Sequence, residues 1–558
     1  MAPASRRSVF VRAAADVATA CAQARGVLVL GALTLALGLG ACAGSGSPPS
    51  GATLSEQFYR SAYGRIDELY LDPVDLRRLV VDGLVHTGER VPGIVVTALA
   101  ANARTVTITL GGPGSVLGTK TQARTFPLPD GADANAWAHL AAGVTEWVVA
   151  KSPDLAAKGG DQAREAVYRT MMEGAAADLD PYSRYTAPGA ARDERARRDG
   201  YDGIGVTLEE TPTGFRIIAV APGSPAATAG LLVGDLIIAV GGIPVAPRAG
   251  LLPAGGDPDI LPPMDIKTVM ARLSGPPGTG VPVRLSRGDA VLTITVGRQR
   301  IILPTVMAER AGAAGVLHVS RFNAGTADAV KAAVRRFRDA GAAEGGPPTG
   351  WVLDLRGNTG GLLDQAVAVA DLFITSGPIL TTIGRHPDSR QHYEATPGDI
   401  LDGAPLVVLA DGQTASAAEV VLGALIDSGR ALDVGTTSFG KGVVQTVTRL
   451  PNGGELFITW SRIVNPAGHS FDHQGLAPAL CTSGRTDAAA ILASLRTSSR
   501  PVVMTHGDAC PAEHNRPAPV DLTVAENLLA NPALLRRAQL AGQPLLADQP
   551  APNPVAAQ

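Results

Sequence analysis

The chain has 558 residues, and its apolar content of 45% is enough for the cores of two or three domains rather than a disordered protein. The 48 basic and 51 acidic residues nearly balance, at a net charge of −3, which argues against a nucleic-acid-binding surface. Four cysteines are too few for a disulfide framework, and H-E-x-x-H and C-x-x-C patterns are absent, which disfavours a zinc enzyme.

The N-terminus has the pattern of an export signal. Its basic residues are Arg6, Arg7, Arg12 and Arg25. An apolar run of 16 residues over 26–41 follows, which is short and glycine-rich for a membrane span. The run ends in Leu-Gly-Ala before Cys42, and this resembles a bacterial lipoprotein signal, in which the cysteine is lipidated and tethers the protein to the membrane. An ordinary secretory signal with an incidental cysteine and a transmembrane anchor are the alternatives.

The cysteines bear on the compartment. Signal removal would take Cys21 and lipidation would consume Cys42, leaving Cys481 and Cys510 as an even pair in an oxidising compartment. The sequence does not decide whether these two cysteines form a disulfide, because nothing in it fixes the distance between them.

The first part of the mature chain has helical periodicity over 54–85, interrupted near Asp75, which we expect to cap a second helix. Strands are predicted over Ile94–Leu99 and Thr105–Leu110, followed by a turn cluster and then a helix over 134–150. We interpret the region near 90–150 as an insertion or an elaborated N-terminal domain.

Residues 200–299 resemble a PDZ domain. The segment that matches its carboxylate-binding loop and first peptide-binding strand consists of Gly203, Ile204, Gly205 and Val206. Successive backbone N–H groups in such a loop bind an anion, and the strand after it offers an edge to an extended peptide. A plain β-turn is the alternative for these glycines. A helix containing Val269 and Leu273 would close the groove, after a Pro/Gly-rich insertion over 246–263.

Beyond residue 300, strand and helix patterns alternate, which predicts an open α/β sheet with right-handed crossovers. An apolar strand over Trp351–Arg356 leads into a turn that contains Gly360 and Gly361. After residue 441 the pattern becomes β, with a hairpin turn over 451–454. Helices are predicted over 486–498 and 521–541, and a disordered tail over 550–558.

Ser416 stands where a strand, a turn and a small-residue helix start follow one another, in Asp-Gly-Gln-Thr-Ala-Ser-Ala-Ala-Glu over 411–419. A helix N-terminus has free N–H groups and a dipole that favours negative charge, which suits a nucleophile whose attack creates an oxyanion. The competing interpretation is a simple helix N-cap.

Lys441 is a lone cation in Phe-Gly-Lys-Gly-Val-Val-Gln over 439–445, 25 residues after Ser416. Burial there would lower its pKa and let the neutral amine act as a base, with Gln445 within hydrogen-bonding reach. An exposed turn lysine is the alternative.

The two segments together resemble the carboxyl-terminal processing, or tail-specific, protease family, which carries its serine in T-A-S-A-[SA]-E and its lysine and glutamine in F-G-K-G-x-x-Q at this spacing. The resemblance covers about 54–85 and 175–480. It implies Ser416 as the nucleophile, Lys441 as the general base and Gln445 as the residue that orients the lysine.

Two further family motifs are present. Asp-Leu-Arg-Gly-Asn-Thr-Gly-Gly over 354–361 matches D-L-R-x-N-x-G-G, which implies an oxyanion hole from Ala417 and the Gly360–Gly361 pair, with a glycine pair serving only a tight turn as the alternative. Leu-Asp-Pro-Tyr-Ser over 179–183 matches L-D-P-H-S, with Tyr182 at the histidine position.

The resemblance implies a multidomain α/β protein: an open α/β protease domain of the ClpP/crotonase-like type, a β-rich PDZ domain and a helical N-terminal segment. The predicted organisation is a signal peptide over 1–42, a tether over 43–53, a helical N-terminal region over 54–195, a PDZ domain over 196–300, a protease domain over 301–485 and a helical extension with a disordered tail over 486–558.

The implied function is that of a serine endopeptidase that cleaves envelope proteins near their C-termini, on the periplasmic side, with no metal or cofactor. Its partners would be substrates with exposed C-termini, with room for an adaptor or activator protein, a homo-oligomer and membrane contact through the lipid. A His-based triad drawing on His469 or His473, and a PDZ scaffold with an inactive protease fold, are the competing hypotheses.

Overall fold

The computed structural model describes residues 52–97, 103–111, 121–245, 264–339, 346–497, 510–514 and 519–542. The predicted signal peptide with Cys42, most of the tether, the Pro/Gly-rich insertion and the predicted tail lie outside these ranges. Within them, no helix is both long and apolar enough to cross a membrane.

The N-terminal region is helical, as predicted, and carries a small sheet. Its elements are α1 (Leu54–Leu69), α2 (Leu76–Arg90), β1 (Ile94–Thr97), β2 (Thr105–Leu110), β3 (Gln122–Pro127), α3 (Ala134–Lys151), α4 (Pro153–Ala156) and α5 (Gly160–Ala177). Asp75 caps α2 by accepting the N–H groups of Arg77 and Arg78. The strands form an antiparallel sheet in the order β1-β2-β3, and the described part of the region near 90–150 packs on the same core as the helices.

Aromatic side chains hold that core together. Phe58 stacks on Tyr168 at a ring-centroid distance of 4.0 Å, and Trp137 is fully buried. The same core includes Leu450, Leu456 and Ile458 from the C-terminal part of the chain. The N-terminal region therefore shares its hydrophobic interior with the predicted protease domain.

A connecting segment follows, with β4 (Arg184–Thr186) and α6 (Pro188–Asp199). The carboxylate of Glu455 is buried and pairs with Arg195 at 2.9 Å and Arg198 at 3.2 Å, both on α6. A buried carboxylate is costly unless it is paired, so these contacts fix α6 against the C-terminal part of the chain.

The region predicted to be PDZ-like is a β-rich unit with its own core. Its elements are β5 (Tyr201–Gly203), β6 (Val206–Thr211), β7 (Gly214–Val220), α7 (Pro225–Thr228), β8 (Leu236–Val240), β9 (Ile243–Pro244), α8 (Ile266–Leu273), β10 (Gly280–Arg287), β11 (Ala290–Gly297) and β12 (Gln299–Ile301). The main sheet has the order β11-β10-β8-β7-β6, which leaves β6 at an edge, and β12 pairs with β5.

The C-terminal part begins with a six-stranded sheet and its helices. Its elements are β13 (Val306–Ala311), β14 (Ala314–Val319), α9 (Thr326–Arg338), β15 (Gly350–Asp354), α10 (Leu363–Asp371), β16 (Pro378–Ile383), β17 (Gln391–Glu394), β18 (Leu406–Ala410), α11 (Ala417–Asp427), β19 (Leu432–Gly435), β20 (Val443–Arg449), β21 (Glu455–Val464), β22 (Leu480–Cys481), α12 (Ala488–Thr497), α13 (Pro519–Ala530) and α14 (Pro532–Gly542). The sheet order is β13-β14-β15-β18-β19-β22, and all neighbours after β14 run parallel.

Helices cover both faces of this sheet. Side chains alternate along β15: Leu353 packs in the cluster with α9, α10 and α11, and Val352 packs in the cluster with α12, α13 and α14. Parallel strands buried on both faces are expected to be continuously apolar, which explains the Leu-Val-Val-Leu-Ala run of β18.

A second sheet stands next to the first, in the order β17-β16-β21-β20, with β4 pairing to β21. The segment over 436–442 crosses from β19 of the first sheet to β20 of the second. Lys441 therefore lies at the junction of the two sheets.

The disulfide that the sequence left open is present between Cys481 and Cys510, with a Cα–Cα distance of 5.9 Å. The predicted helix over 521–541 is two helices, because the chain turns at Asn531-Pro532. Helical conformation is disfavoured before a proline, and Asn531 accepts the N–H of Leu534.

Candidate active site

Ser416 occupies a strained turn between β18 and α11. Its φ of 56° and ψ of −118° make it one of three non-glycine residues with positive φ in the described ranges. Such a conformation costs about 1–3 kcal/mol and persists only where the surroundings enforce it. A sharp turn from strand to helix presents the side chain of its central residue at the end of a sheet, as a nucleophile requires.

Two loops that are hydrogen-bonded to each other enforce this turn. They follow the adjacent parallel strands β15 and β18. Asp411 accepts the N–H groups of Gly357 and Thr414, each at 3.0 Å. Thr414 donates its hydroxyl to the Leu355 carbonyl at 3.0 Å, and Ala415 N–H donates to the Asn358 carbonyl at 2.9 Å. The predicted serine and glycine motifs therefore meet at the carboxyl end of the sheet.

Gly360 lies directly against the start of α11. A Cβ built on it would come within 3.0 Å of the Ser416 Cβ and 3.1 Å of the Ala417 nitrogen, and its φ is +101°. Any larger residue would fill the space in front of the Ala417 N–H. Ala417 is the first residue of α11, so its N–H has no intrahelical acceptor. A glycine is needed here both for its backbone conformation and for the space it leaves.

The two glycines differ in the use of their N–H groups. Gly360 N–H donates to Asn358 Oδ1 at 2.9 Å, and Asn358 is fully buried. Gly361 N–H donates to no group in the described part of the chain. On either side of it, Phe322 N–H donates to the Gly360 carbonyl and Leu362 N–H to the Phe322 carbonyl. Of the two glycines predicted for the oxyanion hole, Gly361 is therefore the one whose N–H group remains available to an oxyanion.

Glu419, in the first turn of α11, connects the serine segment to the lysine segment. It is fully buried, and its Oε2 accepts the N–H of Ser416 and the N–H of Lys441, both at 2.8 Å. Its Oε1 accepts the hydroxyl of Ser438 at 2.6 Å and the N–H of Gly440 at 2.7 Å. Burial raises the pKa of this carboxyl and the four hydrogen bonds oppose the rise.

The sequence did not identify Glu419 as a site residue, although it is the last residue of the serine motif over 411–419. The signal that could have found it is an acidic residue three positions into a helix that begins at a serine, where it can accept an N–H of the helix start. Because one carboxylate oxygen accepts both N–H groups, the backbones of Ser416 and Lys441 are adjacent.

Lys441 is largely removed from water. Its pKa is lowered to about 8, chiefly by burial and then by the nearby positive charge of Arg184, against smaller opposite effects of Asp180 and Glu419. Its Nζ lies 4.8 Å from the centroid of the Tyr182 ring. In the described ranges, Nζ has no carboxylate within salt-bridge distance, so the exposed turn lysine is not what the structure contains.

Gln445 lies at the start of β20, and its Nε2 donates to the Thr459 hydroxyl at 3.2 Å. Thr459 in turn donates to Asp180 at 3.0 Å. Glu419 therefore joins the backbones of Ser416 and Lys441, but the side chains of the predicted triad are not hydrogen-bonded to one another: among the described residues, Lys441 Nζ bonds to neither Ser416 Oγ nor Gln445. No histidine in these ranges hydrogen-bonds to Ser416 either.

The predicted peptide-binding segment lies at the edge of the PDZ-like sheet. Ile204 is buried and its carbonyl accepts the N–H of Ala226 at 2.9 Å. Gly205 has a φ of +85°, and a Cβ on it would come within 2.4 Å of the Ser224 side chain. Val206 begins β6, whose free edge has no partner strand in the described part of the chain, beside α8. Gly203 ends β5.

Comparison with known proteins agrees with this architecture. The profile of Peptidase family S41 matches residues 313–480, and that of the PDZ domain matches residues 216–250. The carboxy-terminal-processing protease of Bartonella bacilliformis is 32% identical over 321 residues, which cover 56% of this chain and 69% of that protein. The carboxyl-terminal-processing protease of a Picosynechococcus species is 32% identical over 324 residues, which cover 56% and 72%.

Among solved structures, the photosystem II D1 C-terminal processing protease aligns at 24% identity over 77% of this chain and 93% of that chain, with a TM-score of 0.35. The profile matches and the relatives confirm the predicted multidomain α/β fold with a PDZ domain. The chain belongs to the carboxy-terminal-processing proteases of Peptidase family S41 and is a serine peptidase.

Proposed function

We propose that this serine peptidase cleaves envelope proteins near their carboxyl termini with Ser416 as the nucleophile and Lys441 as the general base. The observation that carries the proposal is the convergence of both residues on Glu419, which holds a strained serine turn and a partly buried lysine side by side. A hydroxyl next to a base of lowered pKa is the minimum requirement for nucleophilic catalysis without histidine.

The reaction begins when the neutral amine of Lys441 takes the proton of Ser416 Oγ as the oxygen attacks the scissile carbonyl. Nζ must first turn from the Tyr182 ring toward Oγ, which the adjacent backbones and the four flexible bonds of a lysine side chain allow. At pH 7 a group with a pKa of about 8 is neutral about one-tenth of the time, a far larger fraction than for an exposed lysine.

The negative charge that develops on the carbonyl oxygen is taken by the N–H groups of Ala417 and Gly361. We assign Gly361 rather than Gly360 because Gly360 N–H already donates to Asn358. The lysine then passes its proton to the leaving amine, and water releases the acyl group from Ser416 by the reverse sequence. Gln445 keeps its carbonyl oxygen as an acceptor for the amine while Thr459 holds its Nε2.

The substrate's free C-terminus is proposed to bind at Gly203–Val206 and to extend along the open edge of β6. The disulfide between Cys481 and Cys510 is typical of proteins outside the reducing cytoplasm and supports placement in the cell envelope. We propose anchorage through a lipidated Cys42, as the sequence predicts.

The test compares the native enzyme with Ser416→Ala on an unfolded protein substrate, with peptide products identified by mass spectrometry. Native enzyme is expected to release C-terminal fragments and Ser416→Ala none. Equal cleavage by both would refute the assignment. A comparison of envelope protein C-termini in cells carrying either form would then identify the substrates.

A further inference from the structure

In the described ranges, Tyr182 is the one aromatic residue whose ring contacts Lys441 Nζ. The nitrogen lies 4.8 Å from the centroid of the ring. This tyrosine comes from a distant part of the chain, in the turn that precedes β4. An ammonium within about 6 Å of a ring centroid is attracted by the negative face of the ring, and the neutral amine is not. The contact therefore discriminates between the two protonation states of the lysine.

The turn that carries the ring is held by hydrogen bonds to its backbone. Asp180 accepts the N–H groups of Tyr182 and Ser183 at 2.7 and 2.9 Å, and Ser183 donates its hydroxyl to the same carboxylate at 2.5 Å. Thr459 on β21 joins the network, as its N–H donates to Ser183 Oγ at 3.1 Å and its hydroxyl to Asp180. Because Gln445 donates to Thr459, the predicted lysine-orienting residue and the backbone of the turn that carries the ring belong to one hydrogen-bonded unit.

The other charges around the lysine and the ring do not supply a better partner for Nζ. They are Asp180, Arg184, Glu419 and Asp472. Asp180 is occupied by the turn, Glu419 by four donors, and Asp472 by Gly442 N–H at 3.0 Å with His473 3.6 Å away. Arg184 pairs with Glu194 at 3.0 Å and repels the ammonium. Asp180 and Glu419 act on the ammonium at a distance, and among the described residues the ring face is the remaining direct contact of Nζ.

We propose that Tyr182 is a positioning residue that holds the protonated Lys441 ammonium away from Ser416 and releases the amine when it loses its proton. This rests on the proposed role of Lys441 as the base. The ring thereby ties the location of Nζ to its protonation state, so that only the form able to accept a proton is free to reach the serine.

The proposal predicts how the titration of Lys441 depends on residue 182. A ring that stabilises the ammonium raises the pKa above the value that burial alone would give. Tyr182→Leu keeps apolar bulk without a cation-binding face, and the pKa should fall by about half a unit to one unit. Tyr182→Phe keeps the ring face and should leave it unchanged, while Tyr182→Trp should raise it.

The decisive experiment measures this pKa without using activity. In a Ser416→Ala background, the full chain is acylated briefly with an amine-reactive ester across pH 6–10, and the labelling of Lys441 is quantified by mass spectrometry. Exposed Lys151 in the same sample is the reference. The expected order of midpoints is Trp above Tyr and Phe, with Leu lowest. Coincident midpoints, or a Leu midpoint above that of Tyr, would overturn the proposal.

Kinetics in the Ser416-intact enzyme then test the consequence. On the acidic side of the pH profile, where activity rises with pH, Tyr182→Leu should be about three- to tenfold more active than the native enzyme. The reason is that this rise moves to lower pH by the same amount as the pKa of Lys441. The Trp variant provides an opposite displacement if the Leu variant fails to fold. If the labelling order holds but Ser416→Ala still cleaves substrate, the proposed function fails while the role of the ring stands.

Discussion

The backbone N–H groups of Ser416 and Lys441 already have an acceptor in Glu419, whereas along β6 a row of backbone groups has no partner strand in the described chain. The first region fixes its geometry before any substrate arrives, and the N–H groups of Ala417 and Gly361 have no acceptor among the described residues. The second leaves a whole strand edge open, which suits an extended peptide of variable sequence. Catalysis requires preorganisation, and capture requires an edge.

The largest loss of activity is expected when the base is removed. Lys441→Met removes the amine and keeps a flexible apolar side chain, and we expect kcat to fall by about 10⁴-fold, as when one member of a catalytic unit is removed. Single-turnover kinetics on a fluorogenic peptide measure this. Retention of one-tenth of the activity would assign the base to another residue.

The oxyanion position is tested by Gly360→Ala, which places a methyl group in front of the Ala417 N–H. A loss of about 10²–10³ in kcat is expected, the usual cost of one oxyanion donor, with further loss from strain at positive φ. Gly357→Ala is the matched control, because Gly357 has a φ of +71° but an added Cβ would approach nothing nearer than 3.7 Å. Equal losses in both variants would attribute the effect to strain alone.

Glu419→Gln tests the carboxylate that joins the two segments. An amide replaces one acceptor oxygen by an NH₂ group, so two of the four donors lose their acceptor, and we expect about a 10²-fold loss of kcat with a smaller change in KM. Glu455→Gln is the control, since Glu455 is equally buried but pairs with α6 arginines. A comparable kcat loss in the control would mean that both act through general destabilisation.

The open edge is tested through the substrate rather than the protein. Amidation of a peptide's C-terminal carboxylate removes the charge that the loop over 203–206 is proposed to bind, and kcat/KM should fall about tenfold, mainly through KM. Identical constants for the acid and the amide would remove the PDZ groove from substrate capture.

The smallest expected effect on activity comes from the disulfide. The segment it fixes braces both catalytic loops, because Gly412 N–H donates to the Glu513 carbonyl at 2.9 Å and Thr437 donates to that of Cys510 at 2.5 Å. The Cys481→Ser/Cys510→Ser double variant should lose about 3 kcal/mol of unfolding free energy and less than tenfold in kcat. Denaturant titration measures the first; an unchanged midpoint would show that the bridge contributes nothing.

The serine, lysine and glycine segments could be predicted because each is a short local pattern at a fixed spacing. The role of Glu419 could not, since it depends on Ser438 and Gly440 arriving from a remote segment. Helix α5 was also missed: it starts at Gly160 after Gly159, without a side-chain cap, so no start signal marks it. The Asn531-Pro532 pair is a sequence signal for the division between α13 and α14, because helical conformation is disfavoured before a proline.

Tyr182 shows the same limit at the scale of a contact. The sequence indicated its turn through Leu-Asp-Pro-Tyr-Ser, but only the pairing of β4 with β21 brings that turn to the lysine. The pairing of Cys481 with Cys510 likewise depends on β22 lying at the sheet edge. Contacts between distant segments can be identified only once the fold is known, whereas residue types and their spacing can be read from the sequence.

The pH dependence of kcat/KM tests the central claim most directly. With neutral Lys441 as the base and a pKa of about 8, activity should rise tenfold per pH unit below that value and level off above it. The limb should appear with an uncharged peptide as with a charged one. A limb near pH 6.5, typical of histidine, or a profile flat from pH 6 to 9, would contradict the assignment.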